Sequence, residues 1–246
     1  MQQNNYRQHI SAQFNAELES IKQHLLEMGG LVEQQLNRAL NTLLEGDTGL
    51  AEEVIADDRP VNRFEVTIDE ECSKILALRQ PAASDLRLIF TVLKMTTDLE
   101  RIGDEAVKIA RGAVRALEEG RPPGDFAEVA DIGQRVAAML RKSLDAFARL
   151  DVEVAVQIII QDRDIDIEYS RAMRALITFM MEDARSIGPV LNEMWALRSL
   201  ERVGDHASNI AEYVVYLVQG RDVRHVQPQD LAVQLEVLVP SNNMSQ

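Results

Sequence analysis

The sequence predicts an all-α protein: two tandem three-helix bundles forming one six-helix molecule. Three observations predict it. Apolar residues recur at helical spacing nearly throughout, and alternating β-branched runs between turns are almost absent. The chain also repeats itself. A shift of 104 places Gly29 on Gly133, Val32 on Val136, Leu36 on Leu140, Leu40 on Leu144, Asp47 on Asp151 and Asp58 on Asp162. Further on the shift becomes 101 and superposes LERIGD (99–104) on LERVGD (200–205), as a three-residue difference in one connection requires. A period this long means duplicated bundles, not a solenoid.

The elements follow in order. Val32, Leu36, Leu40 and Leu43 stripe the first helix, which stops at GDTG (46–49). Asp47 is a natural N-cap for the second helix, within which Pro60 is expected to cause a bend. RQPAAS (79–84) ends that helix, and Ser84 is the expected cap of the third, whose stripe runs Ile102, Ala106, Ile109, Ala113, Leu117. RPPG (121–124) separates the two units. In the second unit the breaks are Leu150-Asp151, with Asp151 capping the fifth helix, and RSIGP (185–189). The units therefore span 1–120 and 125–220, leaving a tail, 221–246, read as either a short docking helix or a frayed end.

Composition narrows the function. The chain is 46% hydrophobic but only 4% aromatic, so Leu, Ile, Val, Ala and Met must fill the core, which suits packed helices. A formal charge of −14 with no basic stripe argues against nucleic acid as a partner and favours cations or basic protein surfaces. A lone cysteine, Cys72, fits a reducing compartment and reads as a packed thiol. MQQNNYRQHISAQF lacks the apolar core of a signal peptide, and no apolar run approaches the ~20 residues of a membrane span. A cytoplasmic protein is expected, meeting a membrane only through partners.

The chemistry lies in carboxylates. DLERIGDEA (98–106) sets Glu100 and Asp104 four residues apart, and SLERVGDHA (199–207) repeats this with Glu201 and Asp205. Residues at that spacing share one helix face, where like charges repel. The fifth helix adds Asp162 and Asp166; its counterpart in the first unit offers Asp58 but Asn62. If the second and third helices of each unit pack together, the pairs converge on an oxygen-rich patch that a hard or borderline cation would relieve: iron, zinc, manganese or magnesium. A single Glu-x-x-x-Asp is more often a solvated face. Recurrence and the glycines inside both motifs, Gly103 and Gly204, favour something more, either close helix contact or ligand access. His206 follows Asp205 and so points about 100° away, towards a surface or an interface. No Glu-x-x-His pair, phosphate loop, nucleophile elbow or Cys/His cluster is present, so no enzyme is predicted.

At these residues the sequence closely resembles the PhoU family. MGGLVEQQL, RQPAASDLRL, DLERIGDEA, RSLERVGDHASNI and GRDVRHV carry the resemblance, which runs from residue 14 to about 226. It implies a six-helix protein of two three-helix bundles. It also implies a cytoplasmic negative regulator of the phosphate-starvation response, linking the ATPase subunit of a phosphate ABC transporter to a sensor histidine kinase and modulating phosphate uptake. Family members often dimerise, and some hold iron or zinc clusters through (Glu/Asp)-x-x-x-Asp motifs. By resemblance the second metal site would use Asp162, Asp166, Glu201 and Asp205. The first would use Asp58, Glu100 and Asp104, with Asn62 standing where the fuller pattern has an acid. Two other readings stay open beside this one: a metal-dependent helical phosphohydrolase, and a metal-free adaptor whose acidic faces meet basic partners.

Overall fold

The computed structural model describes residues 2–119, 127–224, 226–227 and 230–231. Among the described residues six long helices occur in the predicted order: α1 (Gln2–Glu45), α2 (Thr48–Arg79), α3 (Ala83–Glu118), α4 (Ala127–Arg149), α5 (Val152–Glu182) and α6 (Ile187–Gln219). A 3-10 turn, Ala184–Ser186, precedes α6, and no strand occurs among the described residues. The predicted break at 121–124 and the last fifteen positions of the tail, 232–246, lie outside the described residues.

Local chemistry sets most boundaries. Asp47 accepts the amide hydrogens of Gly49 and Leu50, and Asp151 accepts that of Val154, so both act as the N-caps their positions predicted. Ser84 does not. The chain turns at Gln80, which is left-handed with φ 49°, and straightens at Ala82, so α3 begins at Ala83 and Ser84 already lies inside its first turn. Gly46 and Gly220 follow α1 and α6 with φ of 71° and 70°, the left-handed stop that lets a helix end without a Cβ clash. Pro60 lies inside α2, which stays helical from Thr48 to Arg79.

Within each repeat the three helices pack on one another. Between repeats α1 packs on α4 and α3 on α6, leaving α2 and α5 on the outside. The buried apolar residues form one cluster drawn from all six helices, Ile21 and Leu36 to Val203 and Val214, so both bundles share a core. Cys72 is buried in it, and burial pushes its thiol up to about 12, leaving it unreactive.

The α1–α4 contact explains two of the repeated glycines. A methyl group on Gly29 would lie 2.7 Å from Leu144 Cδ2, and one on Gly133 would lie 2.5 Å from Leu40 Cδ2. These contacts are each other's image under the shift of 104, so the repeats dock through a reciprocal pair in which leucine of one fills the space over glycine of the other. The α3–α6 face adds buried polar contacts. His206 Nδ1 lies 2.6 Å from Asp98 Oδ1, Asn209 donates to the same oxygen at 3.2 Å, and Arg202 Nη1 lies 3.1 Å from Glu105 Oε1. Thus His206, read from spacing as facing a surface or an interface, is buried in the interface between repeats.

Overfilling one half of the reciprocal contact tests its role. Gly133→Val should lower unfolding free energy by about 1–3 kcal/mol, because an added branched side chain in a packed crossing forces shifts that helix propensity only partly offsets. Adding Leu40→Ala should recover part of that loss in urea titrations. If the double variant is simply the sum of the singles, the two side chains do not share that space.

Candidate metal centre

In the second repeat the carboxylates converge as their spacing suggested. α5 and α6 run side by side, and Asp166, Glu201 and Asp205 each present an oxygen within 4.8 Å of the others. Asp162 sits one turn before Asp166 on α5. Its Oδ1 lies 3.4 Å from where a methyl on Gly204 would stand, so this glycine admits the carboxylate as well as Val136 of α4. Gly103 plays a related part in the first repeat, where Gln35 Oε1 of α1 occupies the equivalent space at 3.0 Å.

Electrostatics shows what four carboxylates in one seam cost. Burial, then repulsion from Asp205, Asp166 and Glu201, pushes Asp162 up to about 7, although a hydrogen bond from Ser208 acts in the opposite direction. Burial raises Glu201, Asp205 and Asp166 too, with neighbouring acids adding to the first two. Arg198 and Arg202 relieve Glu201 and Asp205 in part, and Arg198 donates to Glu201 Oε1 at 3.0 Å. The other oxygen, Oε2, is buried with no hydrogen-bond partner among the described residues. An orphaned carboxylate oxygen inside an all-oxygen trio is unfavourable unless a cation takes it, so these residues fit a divalent metal. Asp166, Glu201 and Asp205 would hold it, with Asp162 beside them. Bound there, it would supply charge neutralisation and a fixed spacing between α5 and α6.

The first repeat is built differently. Asn62 Nδ2 donates to Asp58 Oδ2 at 3.2 Å, so the amide that replaces an acid engages the neighbouring carboxylate. Asp58, Glu100 and Asp104 are not drawn into a group as close as the trio among the described residues. Glu100 is raised by burial and by Asp104, Glu65 and Asp58. Glu65 is itself raised by burial, Asp69 and Asp104. Glu65 therefore belongs to this patch, and sequence reasoning missed it. The signal was its position seven residues after Asp58, on the same face of α2. Gln35 is fully buried, donates to the Val54 carbonyl at 3.0 Å, and leaves Oε1 unpartnered beside Gly103.

Comparison with known proteins settles the lineage. A family model for the PhoU domain matches twice, at residues 25–113 and 129–214. The chain belongs to the PhoU family. It is 57% identical over 218 residues to a phosphate-specific transport system accessory protein PhoU homolog of Pseudomonas aeruginosa, covering 89% of this chain and 90% of that protein. It is 46% identical over 227 residues to the Escherichia coli K12 phosphate-specific transport system accessory protein PhoU, covering 92% and 94%. The crystal structure of PhoU from Pseudomonas aeruginosa superposes with a TM-score of 0.82 at 56% identity, spanning 85% of this chain and all of that one. A PhoU phosphate transport system regulatory protein from Streptococcus pneumoniae, at 32% identity, gives 0.78 over 85% and 99%. The two PhoU matches fall on the two three-helix repeats, as the duplication predicts.

The raised carboxylates give a pH dependence with a definite sign. Asp162 titrates near 7 when folded against an ordinary value of 3.8, so the stability it contributes is present below about 4 and lost as pH rises through about 7. Metal-free protein should therefore melt at a lower temperature at pH 7.5 than at pH 5.5. Asp162→Asn should reduce that difference, with Glu212, which burial also pushes up to about 7, carrying the rest. Adding a divalent cation to the unaltered chain at pH 7.5 should raise the melting temperature. A metal-free Asp162→Asn variant that keeps the full pH dependence would assign it elsewhere.

Proposed function

We propose that the protein is a cytoplasmic negative regulator of the phosphate-starvation response that couples a phosphate ABC transporter to a sensor histidine kinase and modulates phosphate uptake. The coarser part of this reading rests on its relatives in Pseudomonas aeruginosa and Escherichia coli, named as accessory proteins of the phosphate-specific transport system. The transporter's ATPase subunit and the kinase are the partners the reading requires, with a homodimer as the working unit and no nucleic acid. No helix among the described residues is long and apolar enough to cross a membrane, in keeping with contact through partners. The name these relatives carry, accessory protein, favours regulation over a phosphohydrolase activity.

The unpartnered Glu201 oxygen carries the mechanistic part. A cation on Asp162, Asp166, Glu201 and Asp205 removes the repulsion across the α5–α6 seam and fixes the two helices relative to one another. Iron or zinc clusters are the proposed occupants, with manganese or magnesium as alternatives that the all-oxygen donor set accepts. The patch of Asp58, Glu100 and Asp104, with Glu65, is proposed as a weaker second site. Along α6, Ile187, Leu191 and Trp195 form an exposed i, i+4, i+8 stripe that ends two turns before Glu201. An apolar stripe ending beside a charge-switchable patch is suited to a partner whose affinity depends on metal occupancy, by population shift and not by chemistry. The metal-free adaptor keeps one specific support: Arg198 and Arg202 already supply part of the countercharge.

Metal analysis decides between them. Untagged protein purified without chelator should hold near-stoichiometric iron or zinc that is lost in Glu201→Ala/Asp205→Ala. Affinity for the ATPase subunit and for the kinase's cytoplasmic region should then differ between metal-loaded and chelated protein. Equal trace metal in both proteins, with partner binding indifferent to chelation, would leave the adaptor reading in its place.

A further inference from the structure

The duplication supplies an internal comparison for every surface position, and one groove departs from its twin in a directed way. Across the α1–α2 groove, Arg38 of α1 pairs with Asp57 of α2 and lies 3.8 Å from Glu53. The shift of 104 carries Arg38 to Lys142, Glu53 to Gln157 and Asp57 to Gln161. The cation is kept, and both of its acidic partners have become amides. The same shift turns Glu45 into Arg149. In a chain of net charge −14 this takes the groove from a net −3 (one cation, four carboxylates) to neutral, the two cations being balanced by Asp145, where the first repeat has Asn41, and by the shared cap Asp151.

The groove between α4 and α5 is open. It encloses about 250 Å³, and its polar lining is Lys142, Asp145, Arg149, Asp151, Gln157 and Gln161. Asp151 is engaged as the α5 cap through the Val154 amide at 3.0 Å. Neither Lys142 nor Arg149 makes an ion pair or hydrogen bond to another described residue. Where the first repeat pairs its cation with Asp57 across the groove, the second leaves two cations and two amides facing a common space, with Asp145 and the capping Asp151 as its two carboxylates.

We propose that the α4–α5 groove binds a small multivalent oxyanion of the phosphate class. Lys142 and Arg149 supply only donors, and the side-chain amides of Gln157 and Gln161 add donors without the repulsion that Glu53 and Asp57 would exert. The unprotonated oxygens of a phosphate accept from these donors and match the guanidinium fork. Lys142 and Arg149 stand seven residues apart, ~10 Å along α4, so their long side chains either close on one phosphoryl group or span two. Exposure of the groove and the opposing charges of Asp145 and Asp151 set the affinity in the ~millimolar range. This site is separate from the carboxylate seam between α5 and α6 and does not depend on its metal.

Amide-resolved NMR of the full chain tests it, titrated with sodium phosphate against sodium chloride at matched ionic strength. Saturable shifts confined to the α4–α5 groove are expected with phosphate alone. Gln157→Glu/Gln161→Asp, which restores the charges of the first repeat, should weaken binding by about tenfold or more with melting temperature unchanged. Glu201→Ala/Asp205→Ala should retain the response, which separates it from phosphate bridged by a bound metal. Pyrophosphate as a second probe identifies the source: tighter binding than phosphate means both cations grip two phosphoryl groups, and equal binding means inorganic phosphate suffices. Shifts that track ionic strength, that survive the Gln157/Gln161 exchange, or that vanish with Glu201 and Asp205 would each overturn the proposal.

Discussion

The close crossing of α1 and α4 is the constraint on which the rest of the molecule depends. At Gly29 and Gly133 there is no side chain, and Leu144 and Leu40 fill the space instead. A bulkier residue at either glycine would lever the repeats apart and open the longer α3–α6 contact behind it. That contact buries Asp98, Glu105 and His206, polar groups that only a fixed register can pair. Repeats docked this way keep α2 and α5 on the outside, and so place both acidic seams, α2–α3 and α5–α6, at the margin of the shared core.

The centre and the interface share residues. His206, which bonds Asp98 across the repeats, directly follows Asp205. Arg202 lies 3.1 Å from Glu105 in the interface while easing the charge on Glu201 and Asp205. A change of charge at the seam therefore alters the electrostatic demand on an arginine that also ties α6 to α3. The seam stores unfavourable energy that a purely structural helix pair would have shed by substitution. Local rules broken in this manner, with acids stacked along one seam and a buried oxygen unbonded among the described residues, support the binding role proposed for it.

What the sequence made legible follows how local each interaction is. Asp47 and Asp151 were readable as caps because a capping carboxylate bonds amides two or three residues away. Ser84 has the same chemistry but was misplaced, since the backbone at Gln80 and Ala82 decides where α3 begins. Spacing gave the direction of His206 on its helix but not what lies there, because Asp98 is 108 positions away. The four acids of the second repeat were found through their i,i+4 periodicity. Glu65 escaped that template because it stands three residues after Asn62, and the orphaned oxygen of Glu201 has no counterpart in a string of letters.

Glu65 also changes how the two repeats compare. At the equivalent α2 and α5 positions the first repeat reads Asp58, Asn62, Glu65 and the second reads Asp162, Asp166, Tyr169. The acid missing at Asn62 reappears one turn later, so with Glu100 and Asp104, or with Glu201 and Asp205, each patch keeps four carboxylates. The surroundings then diverge. Tyr169 hydrogen-bonds Arg198, which in turn donates to Glu201, whereas the first repeat has Thr97 at the position of Arg198. One patch is gathered tightly and braced by arginine; the other is spread along its helix. Under the proposed function, two patches equal in charge but different in spacing and countercharge would differ in their affinity for a cation, because attraction depends on how closely the oxygens meet. Duplication supplied the scaffold twice, and divergence has spaced and countercharged the two patches differently.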